Sequence, residues 1–313
     1  MNDMSDNSGA EKATLCVAGM VYFEIFLPPG ELDVELGREI FVDGIDAGLG
    51  GALNSASVAR ALGISTTLAH PSGQGPTDAA VIAERERLGI GAHTWICSDD
   101  PAISLVRSEA GERSFISCAD LNALGACPPL DDFGWIHVPG LEEAHQLSEQ
   151  LHHARKAGAT ISVCGSWAPA RLDALSSIAS PRWDLLVLNG AESRRATGGA
   201  ESLEQRIEAL TGTARDIIVT DGPRAIHALI DGQRLDLEVP PVESFVDATG
   251  AGDSLAAGYI AARIHGHDPH RALALGVEVA RVVVGMRGGL IRDPSRFDLI
   301  FDRQPSAASK RET

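Results

Sequence analysis

Positive charge is scarce in this chain. Twenty-six lysines and arginines stand against 43 aspartates and glutamates, a net charge of −17. That balance excludes a general nucleic-acid or anionic-membrane surface, since both need basic patches. It leaves phosphate ligands open, because main-chain amides bind phosphate without a cationic protein. Cysteine chemistry is equally thin. Cys16, Cys97, Cys118, Cys127 and Cys164 form an odd, scattered set with no C-x-x-C pair and no Cys/His cluster. Neither a zinc site nor a disulfide framework is indicated; reduced, mostly buried thiols of a cytoplasmic protein are expected. No window approaches the ~20 apolar residues of a membrane span. The stretch Met1–Lys12 is polar and acidic, unlike a signal peptide. A soluble protein is the expectation. Also missing are any internal repeat with a period of ~20–50 residues and any G-x-x-x-x-G-K-[ST] loop. Val17-Ala18-Gly19-Met20-Val21-Tyr22 lacks the G-x-G-x-x-G that a dinucleotide needs after a first strand. A P-loop kinase is unsupported, and a Rossmann dehydrogenase is disfavoured.

What is present suits a large α/β domain. Of 313 residues, 44% are apolar, enough for a continuous core. Short apolar runs of β type at Thr14–Met20, Trp135–Val138, Thr160–Val163, Asp184–Leu188 and Ile217–Thr220 alternate with helical patterns. The helical stretches are Glu142–Lys156, Ser202–Leu210, Asp253–Ile264 and His270–Met286. Strands separated by amphipathic helices predict crossover connections and a mainly parallel central sheet in a Rossmann-like three-layer αβα domain. The domain is expected over residues 14–304, between polar tails at 1–13 and 305–313. Residues 23–46 and 94–117, rich in β-formers and turn residues, are expected to pair as a small β-sheet lid; two ordinary surface hairpins are the plainer alternative.

The most informative segment is Val246-Asp247-Ala248-Thr249-Gly250-Ala251-Gly252-Asp253, leading into Ser254–Ile264. Gly250 and Gly252 let the backbone bend tightly and approach a ligand. The residues after them are helix formers, so the bend lies at a helix N-terminus, where free amides and the helix dipole favour an anion. Asp253, beside that anion hole, can take the proton of an alcohol attacking a phosphoryl group. The same residues also fit a simple helix cap and turn.

The longer context weighs against the simple cap. Residues 247–253 resemble the C-terminal signature D-T-x-G-A-G-D of the ribokinase-like (PfkB-type) carbohydrate and nucleoside kinases, with Ala248 in place of the first threonine. The resemblance runs in order from about Thr14 to about Pro294. It implies that Asp253 is the base and that the amides of Gly250, Ala251 and Gly252 form the anion hole. Gly50-Gly51-Ala52-Leu53-Asn54-Ser55-Ala56, running into Arg60-Ala61-Leu62-Gly63, resembles the family's N-terminal signature. Two glycines there admit a polyol, and Asn54 offers it both a donor and an acceptor; a locally satisfied strand–turn–helix junction would read the same. Gly111-Glu112-Arg113 falls at a hairpin as the family's lid does. Asn189-Gly190-Ala191-Glu192 resembles the N-x-x-E that orders Mg²⁺ and phosphates, often through water, although Asn189 and Glu192 also suit an ordinary helix cap. Thr220-Asp221-Gly222, with Ala225 in the last position, resembles the nucleotide-side T-x-G-x-x-G. Gly288-Gly289 and Pro294 resemble the end of the pattern, beside the adenine pocket and a monovalent-cation loop, for which Asp247 and Thr249 are candidates with K⁺.

Departures bear on the substrate. The family's first strand usually ends in an aspartate that holds sugar hydroxyls, and Glu24 stands at that position, one methylene longer. The usual V-G-D-D stretch is replaced by His70-Pro71-Ser72-Gly73-Gln74-Gly75-Pro76. Tyr22 and Phe23 could stack on a base, but strand alternation turns at least one into the core. The resemblance thus implies transfer of a phosphoryl group from ATP·Mg²⁺ to a hydroxyl of a sugar (hexose or pentose) or of a nucleoside, in a cytoplasmic enzyme that forms lid-mediated homodimers in some relatives. A non-catalytic sugar or nucleotide sensor is the competing class. The ten histidines, including His152-His153 and His265-Gly266-His267, fit surface or capping roles better than metal ligation.

Overall fold

The structure is a computed structural model and describes residues 15–28, 36–97, 102–109, 112–177, 183–298 and 300. In chain order it runs β1 (Leu15–Ala18), β2 (Val21–Phe26), β3 (Asp46–Gly51), α1 (Ala52–Ala61), β4 (Thr66–Ser72), α2 (Pro76–Arg87), β5 (Gly91–Ile96), β6 (Ala102–Glu109), β7 (Glu112–Ala119) and β8 (Trp135–Val138). It continues through α3 (Leu141–Gln146), α4 (Ser148–Lys156), β9 (Thr160–Cys164), α5 (Pro169–Ala174), β10 (Trp183–Asn189), α6 (Gly190–Ala196) and α7 (Leu203–Leu210). The last elements are β11 (Ala214–Thr220), β12 (Ala225–Ile230), β13 (Gln233–Glu238), α8 (Ala251–Ile264) and α9 (Pro269–Val284).

Nine strands form one sheet in the order β13-β12-β11-β10-β9-β8-β1-β4-β5, and four form a second in the order β3-β2-β6-β7. From β11 to β5 every neighbouring pair is parallel; β12 and β13 add antiparallel strands at one edge. The central strands read as apolar runs because helices cover both faces. Leu185, Leu186, Val187 and Leu188 of β10 are all buried, alternate ones joining opposite core clusters. One cluster packs α1, α8 and α9 on the sheet, and the other packs α3, α4, α5 and α7. The large, mainly parallel sheet with its small companion matches the three-layer domain and small second sheet expected from the sequence.

Helix α8, which carries the signature residues, is held tightly from behind. Gly258 meets Gly276 of α9 so closely that a Cβ on Gly276 would come within 2.7 Å of the Leu255 carbonyl. Helix α9 starts on Asp268, which accepts from the Arg271 N–H at 3.0 Å, with Pro269 in the first turn.

Three expectations shift. The small sheet is built from β2, β3, β6 and β7, so it takes in Val21–Phe26 and extends to Gly51. Residues 94–96 do not belong to it: Thr94, Trp95 and Ile96 pair in parallel with His70, Pro71 and Ser72 on the edge of the main sheet. β-Formers alone do not reveal which sheet a strand joins. The helix expected over 142–156 is two pieces, divided at the fully buried Leu147. Leu141, Ala144, Leu147 and Leu151 all face one core cluster, and the division keeps both pieces against it. Of Gly111-Glu112-Arg113, Gly111 lies outside the described residues; β6 and β7 pair antiparallel up to Glu109 and Glu112. Cys16, Cys127 and Cys164 are buried, as expected.

Candidate active site

The order of the main sheet reverses beside β1: β4 and β5 lie to one side, β8 through β11 to the other. A crevice opens outside the carboxyl ends of parallel strands at such a switch point. Pro139 and Gly140 follow β8, Cys164 to Ser166 end β9, Asn189 ends β10 and Thr220 ends β11, and all of them line one cavity of about 400 Å³. A second cavity, about 490 Å³, adjoins it beneath the small sheet and is lined by Tyr22, Glu24, Asn54, Ser104, Phe115 and Ser117, together with residues 247–250. Six residues face both: Tyr22, Gly51, Ser166, Ala248, Gly250 and Asp253. Asp253 therefore stands where the two cavities meet.

The bend before α8 is as tight as two glycines allow. Gly250 is the N-cap, with φ 75° in the left-handed region. A Cβ there would lie 2.6 Å from the Gly289 Cα, so both conformation and space demand glycine. Asp247 fixes the approach: its carboxylate accepts the Thr249 N–H at 3.0 Å and the Gly288 N–H at 2.7 Å, tying 247–249 to the turn at 288–289. The expected trio of anion-binding amides needs one adjustment. The Ala251 N–H donates to the Ala248 carbonyl at 3.2 Å, the long end for such a bond. The amides of Gly250 and Gly252 are thus the nearer candidates, Gly252 being exposed on the cavity wall.

Burial lifts the Asp253 carboxyl from its ordinary value to about 6, against a hydrogen bond from the Asn54 side chain that lowers it. Asn54, in α1, is itself buried, and its Oδ1 has no partner. Three further carboxyls line the first cavity: Glu142, which pairs with Arg171, and the more buried Glu192 and Glu143. Glu192 is raised chiefly by burial, partly offset by its bond from the Asn189 N–H. Glu143 is pushed up to about 7 by burial, while the Met20 N–H donates to its Oε1 at 2.7 Å. Asn189 and Glu192 do cap α6 reciprocally, with Oδ1 of Asn189 accepting from the Glu192 N–H at 2.9 Å. The two residues thus cap α6 and line the first cavity as well. Among the described residues lining either cavity there is no lysine, arginine or histidine.

Most of the residues singled out from the sequence converge here. Gly250, Ala251, Gly252, Asp253, Asn189, Glu192 and Thr220 line the first cavity; Glu24, Gly51, Asn54, Asp247 and Thr249 line the second. Glu24 is not at the end of the first strand, which stops at Ala18. It is central in β2 of the small sheet, opposite Gly48, and its carboxylate lies against Gly50. Gly50 backs Glu24 instead of lining the cavity. Gly51, with φ 68°, turns the chain from β3 into α1. Gly222 and Gly288 (φ 57° and 76°) shape turns and are not among the lining residues. Tyr22 faces the cavities while Phe23 packs on the core, as alternation requires. The acid missing from 70–76 has a nearby substitute: Asp78 of α2 accepts from Ser72 Oγ at 2.9 Å and from the Gly73 N–H at 3.1 Å, away from both cavities.

Sequence reasoning missed Glu143 and Ser166. Nothing in Glu142-Glu143 marks which acid turns inward; Glu142 pairs with Arg171 at 2.8 Å and Glu143 reaches back to the β1–β2 link. Ser166 has φ 52°, a left-handed conformation uncommon for serine and often seen at functional sites. Among the described residues no three His, Cys, Asp or Glu side chains are grouped to hold a metal directly. Nor is any described helix long and apolar enough to cross a membrane.

The model for the pfkB family carbohydrate kinase matches residues 44–296. A curated relative, the 2-dehydro-3-deoxygluconokinase of Dickeya dadantii (strain 3937), is 38% identical over 80 residues, 24% of this chain. The match spans only 26% of that relative's length. Among solved structures, the adenosine kinase of Sinorhizobium meliloti superposes with a TM-score of 0.79 at 18% identity, covering 92% of this chain and 98% of that one. Arabidopsis thaliana ribokinase complexed with ribose and ATP gives 0.74 at 20% identity, with the same coverage.

Proposed function

The chain belongs to the pfkB family of carbohydrate kinases, and from that membership and the joined cavities we propose that it transfers the γ-phosphoryl group of ATP to a hydroxyl of a sugar, or of a nucleoside as the alternative. The observation that carries this reading is the place of Asp253, at the meeting of the two cavities and one residue beyond an amide-lined helix start. In this proposal the triphosphate occupies the cavity lined by Asn189, Glu192 and Thr220, with Gly222 and Gly288 shaping the turns beside it. The acceptor occupies the cavity beneath the small sheet.

Asp253 orients the alcohol and collects its proton as the oxygen attacks. The amides of Gly250 and Gly252, joined by that of Ala251 as its 3.2 Å turn bond yields, receive the charge that spreads over the moving phosphoryl group. Such a transition state is loose, so alignment and charge stabilisation do most of the catalysis. The small sheet covers the acceptor cavity and limits competing water.

The residues present fit magnesium: a polyphosphate in a cavity lined by Glu143, Glu192 and Asp253, with no basic side chain among its described lining residues, needs a counter-cation. Glu192 and Asn189 would hold it largely through water, as this ion prefers. When bound, Mg²⁺ supplies neutralising charge to the phosphates. A monovalent cation such as K⁺ belongs to the proposal more loosely, through the loop that Asp247 and Thr249 build. A cytoplasmic location and a homodimer through the small sheet complete it; the exposed Ile116 of β7 supports the latter.

The test is ADP formation from ATP across sugars and nucleosides, with Mg²⁺ present or chelated and with K⁺ present or absent. The proposal expects ADP only when acceptor and Mg²⁺ are both supplied. Calorimetric binding of both ligands without turnover would instead identify a sensor.

A further inference from the structure

One wall of the first cavity has no part in the proposed transfer. Trp167 lines that cavity, and it alone of the four tryptophans is exposed, at 61%. The others are engaged within the fold. Trp95 donates its indole N–H to the Ala123 carbonyl at 2.8 Å, Trp135 donates to Ser162 Oγ at 2.9 Å, and Trp183 joins a core cluster. An indole left in water forgoes the burial that so large an apolar side chain ordinarily gains.

The backbone fixes where the ring stands. The Gly165 N–H donates to the Val187 carbonyl at 2.8 Å, and the Gly165 carbonyl accepts the Leu141 N–H at 3.0 Å, so the chain is anchored on both flanks as β9 ends. Ser166 then enters the left-handed region at φ 52°, and the Ala168 N–H closes back on the Ser166 carbonyl at 2.8 Å. Trp167 is the centre of that three-residue turn. Arg195 of α6 lies over its ring, 5.7 Å from the centroid, and is itself held by Asp173 at 2.7 Å. Arg195 does not line the cavity. The indole is thus steadied on one side and open to the cavity on another, beside a strained residue of the kind that clusters at ligand clamps.

Strand order says what can reach it. Thr220 and Asn189 end β11 and β10, on the side given to the triphosphate. β9 stands beyond them, next to β8 and about 10 Å from β11. There the cavity lining around Trp167 includes Leu121, Pro139 and Gly140, a carbon-rich stretch. A polyphosphate has no ring to lay on an indole, whereas a nucleoside base has a flat face and a sugar a C–H face. Trp167 lines the first cavity and not the second, while Ser166 beside it faces both. An acceptor whose reacting ring lies beneath the small sheet therefore meets Trp167 only by continuing past Asp253 into the first cavity.

We infer that Trp167 sets acceptor specificity by stacking on a second ring of the acceptor, and that the favoured acceptor is a sugar carrying such a ring, whether a base or another sugar, over the free monosaccharide. This step rests on the kinase reading.

The experiment compares kcat/KM for acceptor-dependent ADP formation within matched sets: ribose against adenosine and inosine, and glucose against maltose and phenyl β-glucoside. Wild type, Trp167→Leu and Trp167→Phe are measured, with circular dichroism to check folding; a ratio taken within one variant is insensitive to its folded fraction. In the wild type, at least one two-ring compound should exceed its own monosaccharide by about tenfold or more, the size of one aromatic stacking contact. Trp167→Leu should bring that ratio within about twofold, and Trp167→Phe should restore part of it. The first set responding identifies a base as the second ring; the other set identifies a glycoside. Trp167 emission, taken as wild type minus the Leu variant, should be quenched when the favoured acceptor is titrated into enzyme holding a non-hydrolysable ATP analogue. A monosaccharide equal to its two-ring partners, a ratio that persists in Trp167→Leu, or a rise in KM for ATP larger than that for acceptor overturns the inference and leaves the kinase reading standing. Failure of every compound to yield ADP sinks the kinase reading instead. The emission titrations then still judge Trp167: an equal response to monosaccharides and two-ring compounds overturns its role.

Discussion

In the proposed reaction the ionisation of Asp253 makes the rate a function of pH that can be worked out from the site. Burial raises its carboxyl to about 6, and only the carboxylate accepts a proton. With that value the ionised fraction is roughly one eleventh at pH 5 and ten elevenths at pH 7, so kcat/KM should fall about tenfold between them. The direction is fixed by the sign of the shift: activity is present above pH 6 and lost as pH falls through it. Asn54 supplies the hydrogen bond that holds the value down. Asn54→Ala should therefore move the acid limb to higher pH, whatever it also does to acceptor affinity. The assay is acceptor-dependent ADP release from pH 5 to 8 at saturating ATP and Mg²⁺, recording where kcat/KM reaches half its plateau. A profile flat down to pH 5, or a limb displaced to lower pH in the Asn54 variant, would refute the reasoning.

Gly250→Ala should cost about 1–2 kcal/mol from its left-handed backbone alone. It should also displace the amides by pressing on Gly289, 2.6 Å from the new Cβ; steady-state kinetics should show kcat lower by about 10²–10³. Glu143→Gln tests a burial cost. Its folded value of about 7, against 4.5 ordinarily, means the folded protein keeps a proton that the unfolded chain releases. The stability from that proton is full below about pH 4.5 and is lost as pH rises through 7. Glutamine still accepts from the Met20 N–H, so urea titration should find the variant more stable at pH 8, by at most about 3 kcal/mol, and little changed at pH 4. A less stable variant at pH 8 would contradict this.

The parallel sheet was legible because its strands are uninterrupted apolar runs, and the helix start at 251 because glycines precede a helix-forming stretch. The turn at 250–253 could be placed from order alone, but the tie of Asp247 to Gly288 and the contact of Gly250 with Gly289 are long-range and could not. The small sheet was legible only in outline. Its pairings join β2 to β6 across the intervening β3, α1, β4, α2 and β5, and nothing local in Thr94–Ile96 says that these residues extend the main sheet. Glu24 was recognised as an acceptor-side acid but assigned to the wrong strand, because the break after Ala18 has no strong turn residue beyond Gly19. Glu143 and Ser166 escaped for a related reason: one gains its role by reaching the β1–β2 link, the other by a backbone conformation that its residue type does not advertise. Site residues placed by long-range contacts leave little trace in a single chain.

The proposed reaction depends on a carboxylate set beside main-chain amides where two cavities join. Single-turnover transfer of labelled phosphate from ATP, measured with wild-type enzyme and Asp253→Asn on the best acceptor, addresses it directly. The prediction is an Asn variant that keeps its circular-dichroism spectrum and its ATP affinity while the rate of phosphorylated-acceptor formation falls by about 10²–10⁴. Transfer by the Asn variant at the wild-type rate would contradict it.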